Sequence, residues 1–81
     1  MGKIRRLERN IEKLEKKIEK EQLKIENLLM KCDNKKITKA DYNIKREHIE
    51  EKIHVMKSEI GGLHGDVAKT KRRLEEKKKK S

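Results

Sequence analysis

Apolar residues recur at alternating spacings of three and four through two long stretches of this chain. Ile4, Leu7, Ile11, Leu14, Ile18, Ile25, Leu28 and Cys32 form the first series, with a charged gap at Glu21. Tyr42, Ile49, Ile53, Met56, Ile60, Leu63, Val67 and Leu74 form the second, with polar gaps at Arg46 and Thr70. This spacing places each series on one stripe of a helix. The pattern predicts an all-α fold: helix one over about residues 3–31, a turn over 32–38 and helix two from 39. Two stripes of the same period joined by a short turn fold back on each other. The expected result is an antiparallel two-helix coiled-coil hairpin about 50 Å long at 1.5 Å per residue.

Local signals sharpen the turn. Asp33 and Asn34 favour side-chain bonds to the local backbone over continued helix. Thr38 is a candidate N-cap with Asp41 three residues later, and Ile37 and Tyr42 occupy the two positions of a hydrophobic staple. Gly61, Gly62 and Gly65 each cost about 1 kcal/mol relative to Ala inside a helix, so they mark a candidate break or hinge. With the turn centred near Lys35, Asp66 falls opposite Ile4. Residues 1–66 then form the hairpin, and 67–81 extend beyond it with no intramolecular partner.

Composition limits the core. The 81 residues include one Tyr, no Phe, no Trp and no Pro, and 49% are charged against 31% hydrophobic. Such a chain builds a thin helical core. A hairpin buries one stripe per helix and leaves its core open on two sides, so dimerisation into a four-helix bundle is expected. Leu23, Leu29, Met30 and Ile44 lie off the stripes near the turn and are the candidate oligomer interface. Cys32 is the sole cysteine, which provides no internal disulfide framework. With no apolar run long enough to span a membrane, the chain reads as cytoplasmic, with no membrane partner.

The net charge is +10, and more than half of it sits in the final stretch. There Lys69, Lys71, Arg72, Arg73, Lys77, Lys78, Lys79 and Lys80 outweigh Glu75 and Glu76. Cationic blocks of this kind neutralise phosphates and release counterions, which gives sequence-independent, salt-sensitive binding to a DNA or RNA backbone. Arg5, Arg6 and Arg9, at the root of the extension, complete this candidate surface. No aromatic side chain lies in this basic stretch to stack on bases, so phosphate contact and shape carry the reading. The rival expectation is a structural or adaptor coiled coil that binds protein, with the basic end as a solubilising tail.

Chemistry beyond binding finds no support. His48 and His54 are six apart and face different ways, and a structural zinc needs about four converging ligands, so no metal or other cofactor is expected. Nothing in the sequence forms a phosphate loop or a nucleophile–base arrangement, so the chain is not expected to be an enzyme. Leu28-Leu29, a polar turn and Ile37-Thr38-Lys39-Ala40-Asp41-Tyr42, followed by Lys45 and Ile49, resemble the SHOCT-type helical hairpin. The resemblance covers residues 28–49 and lacks the family's Gly before the Ile. It implies an interaction or oligomerisation role without catalysis.

Overall fold

The computed structural model describes residues 2–80, with side chains from 2–76. Two helices, α1 (Gly2–Asp33) and α2 (Lys39–Lys80), pack antiparallel as a hairpin measuring 67 × 15 × 12 Å. Side-chain burial follows the sequence stripes position by position. Every α1 residue on the stripe is buried or half-buried, Glu21 included, and every other described α1 residue is exposed. In α2 the same division holds from Tyr42 to Thr70, with Arg46 and Thr70 filling the polar gaps. Ile11, Ile18, Ile53 and Val67 are the buried apolar residues. Such a core leaves little reserve of stability, because few side chains gain the full burial term of about 1.5–3 kcal/mol.

The turn between the helices is built from a C-terminal and an N-terminal cap. The Lys36 N–H donates to the Lys31 carbonyl at 2.8 Å and the Lys35 N–H to the Cys32 carbonyl at 3.0 Å. Lys35 has φ 59°. These are the two bonds and the left-handed residue of a Schellman motif, which satisfies carbonyls that the end of a helix leaves unpaired. Glycine is the usual occupant of the left-handed position; here a lysine holds it. At the start of α2, the Thr38 hydroxyl accepts from the Asp41 N–H at 3.1 Å, forming the expected cap. Ile37 and Tyr42 are both half-buried, as a staple requires.

This turn sets a longer pairing than the sequence reckoning gave. Lys3 and Leu7 share a groove with Asp66, Lys69, Thr70 and Arg73, and Val67 is only 8% exposed. Ile4 therefore stands level with Thr70, one helical turn beyond Asp66. The segment expected to lack a partner from Val67 onward is paired through Thr70, and Leu74, at 45% exposed, marks where α2 leaves α1. The helix continues without a break through Gly61, Gly62 and Gly65 to Lys80.

Two substitutions test this account of the turn and of the glycines. Lys35→Gly removes the cost of a left-handed non-glycine residue and should raise stability by about 1 kcal/mol in urea melts followed by circular dichroism. A Cβ on Gly61 meets nothing within 4 Å, so Gly61→Ala should raise stability by up to about 1 kcal/mol. A loss of stability on either change would contradict the backbone described here.

Candidate interaction surface

The seam fixes which way every remaining side chain points. In an antiparallel heptad pair, the residues just beside the seam divide into two sides of the hairpin, and the rest form its outer edges. On one side α1 presents Lys3, Arg6, Lys13, Lys17, Lys20, Lys24 and Lys31, with Asn10 and Asn27 in the remaining places. No acidic residue of α1 occupies that side. The opposite side of α1 carries Glu8, Glu12, Glu15, Glu19, Glu26 and Asp33, with Arg5 the basic exception. Helix α1 is thus split lengthwise into a basic and an acidic side.

Helix α2 reinforces the basic side near the turn with Lys45, His48 and Lys52, then brings Glu59 and Asp66 to it, then Lys69 and Arg73. Between the two rims runs a trough. Its middle segment, about 640 Å³, is lined by Lys17, Lys20, Glu21 and Lys24 of α1 and by His48, Glu51, Lys52, Val55 and Met56 of α2. The next segment toward the turn, about 420 Å³, has Leu28 and Ile49 in its lining. Away from the turn, a segment of about 490 Å³ includes Leu14, Leu63 and Gly62. The trough therefore has seam apolar residues along its floor and, in its turn-proximal half, a lining in which lysines outnumber the carboxylates of Glu21 and Glu51. Val55, 54% exposed, lines the α2 flank of this trough.

The three polar seam residues are accommodated differently. Thr70 donates its hydroxyl to the Asp66 carbonyl at 2.8 Å, so its own helix satisfies it. Arg46 places its guanidinium 5.5 Å from the Tyr42 ring centre, while its Nε, 3.7 Å from Glu50, is buried with no hydrogen-bond partner. Glu21 accepts from Lys24 Nζ at 3.1 Å, while its Oε2 is buried with no partner. An unpaired buried carboxylate oxygen costs stability.

The residues singled out from sequence do not all converge. Lys69 and Arg73 lie on the basic side beside Lys3, and Arg6 belongs to the same side. Arg5 falls on the acidic side and Arg9 on the outer edge of α1. Lys71 and Arg72 follow one another at about 100° per residue and fan away from the trough. Lys77, Lys78, Lys79 and Lys80 have side chains outside the described residues. Leu23, Leu29, Met30 and Ile44 are 57%, 46%, 62% and 57% exposed. Leu23 and Met30 line the outer edge of α1, Ile44 the outer edge of α2, and Leu29 the acidic side, so they ring the turn end instead of forming one flat patch. His48, His54 and His64 face different directions, and no group of three metal-ligating side chains converges among the described residues. Cys32 is free and half-buried in the seam.

The rim lysines were legible in the heptad positions, but net charge alone draws attention to the tail. No described helix is long and apolar enough to cross a membrane. No protein family, curated protein or solved structure matches the chain.

Glu21→Leu should stabilise the hairpin by about 1–2 kcal/mol, because it removes an unpaired buried oxygen and adds apolar contact to the seam. Chemical denaturation monitored by helicity checks this. A destabilised variant would mean that the carboxylate is satisfied in solution.

Proposed function

We propose that this chain is a structural or adaptor coiled-coil module that docks other proteins along the surface of its hairpin. The observation that carries this reading is the trough. A surface with an apolar floor and, toward the turn, predominantly basic rims is what a helical partner covers, and helix-in-groove recognition uses such surfaces. The thin core supports the same reading, since a two-helix hairpin gains stability from added packing. The module acts by docking, with no chemical step.

Binding of a nucleic-acid backbone is the second reading. It is favoured by one observation: the basic side of α1 runs the length of the helix without an acidic residue. On this reading phosphate contacts spread along that side and onto Lys69 and Arg73, with the tail adding charge.

A photo-crosslinking side chain at position 55, in cells producing the full chain, separates the two. The adaptor reading expects discrete protein adducts that survive nuclease. In parallel, titration with duplex DNA and structured RNA at physiological salt should give a dissociation constant weaker than about 100 µM, the weak end of non-specific binding. Adducts that disappear with nuclease, together with low-micromolar affinity for either nucleic acid, would replace the adaptor reading with the second.

A further inference from the structure

We infer that the turn-proximal trough takes an acidic amphipathic helix from a different polypeptide, which lies along it as a third strand of the coiled coil. The inference rests on the adaptor reading and specifies its partner.

Charge complementarity and period carry it. Lys17 and Lys24 are seven residues apart on one rim, with Lys20 beside them, and Lys45 and Lys52 are seven apart on the other. A facing helix with Glu or Asp at heptad spacing meets these lysines in step, as flanking charges do in coiled coils. The floor supplies the second half of the match. Half-buried Met56, Ile49 and Leu28 lie along the seam between the rims, and exposed Val55 stands on the α2 flank beside Lys52, where apolar side chains of a third helix would find cover. A phosphate backbone has no use for an apolar floor, which places nucleic acid second.

A second copy of this chain fits less well. Trough-to-trough docking about a twofold axis sets lysine rim against lysine rim, and like charges across an interface are costly. The acidic side of another copy's α1 offers Glu8, Glu12, Glu15, Glu19 and Glu26, but Leu29 is its one apolar residue, too little to fill the floor.

The test uses the full chain and three synthetic peptides of about four heptads. One has Leu and Ile on its stripe and Glu on both flanks; its own negative charge keeps it from self-pairing. The second has the same stripe with Lys flanks. The third has the composition of the first in scrambled order. Fluorescence anisotropy at physiological salt should show the acidic amphipathic peptide binding at least about tenfold tighter than either control, with a gain of helicity on mixing. Val55→Glu, and separately the combined change Lys17→Glu, Lys20→Glu and Lys24→Glu, should each weaken binding by at least about tenfold. Reversing Lys71 and Arg72 should leave it within about twofold, since these two residues fan away from the trough. Circular dichroism confirms that each variant stays helical.

Equal binding of the acidic and scrambled peptides overturns the inference, because charge alone would then explain attraction. Preference for the Lys-flanked peptide, or a concentration-dependent homodimer blocked by Val55→Glu, also overturns it, while the adaptor reading stands. If no peptide binds and position 55 crosslinks to no protein, the inference and the adaptor reading fall together.

Discussion

Everything in this molecule depends on one interaction: the packing of two heptad stripes against each other in a single antiparallel register. With a core this thin, no second layer corrects an error. The register decides that Ile4 meets Thr70, that Val67 is covered and that α2 outlasts α1 by only a short helical end. It also decides the electrical form of the surface. Because the seam fixes the rotation of α1, all its lysines but Lys16 fall on one side and all its glutamates but Glu21 on the other. A sequence that reads as evenly mixed charge becomes a two-sided rod.

The seam carries polar residues, and their treatment shows how little depth there is. Arg46 lays its guanidinium near the Tyr42 ring, and its long stem allows the charged end to reach the surface. Thr70 bonds its own backbone. Glu21, half-satisfied by Lys24, and Arg46, whose Nε is buried without a hydrogen-bond partner, are the weak points. A polar residue at a seam position specifies register at a cost in stability, and Glu21 and Arg46 occupy the half of the hairpin where the trough is most basic. Stability, register and the partner-facing surface are thus set by the same few residues.

Much of the fold was legible in the sequence. The three-and-four spacing gave both stripes, and Thr38 with Asp41 marked the start of α2. The turn was harder to read. Its left-handed residue is Lys35, and without a Gly or Asn there the Schellman motif had no sequence signal. Because this motif and the Thr38 cap centre the turn later than Lys35, the pairing moved by one helical turn and Val67 came inside. The glycines signalled a break only through intrinsic propensity, a weak prior that a continuous stripe through Ile60, Leu63 and Val67 overrides. The candidate surface was half legible. Lys13, Lys17, Lys20, Lys24, Lys45 and Lys52 fall together only once residues are lettered around the seam, whereas a count of charge along the chain points to Lys77–Lys80.

The register is therefore the claim to test first. Nitroxide labels at Lys3→Cys and Lys69→Cys in a Cys32→Ser background, diluted with unlabelled chain, report the separation of these two positions by pulsed electron spin resonance. The account predicts one short distance, set by helices packed about 10 Å apart, that survives dilution. A long distance, or a short one that vanishes on dilution, would mean that the chain is not this closed hairpin, and the two-sided surface would not exist.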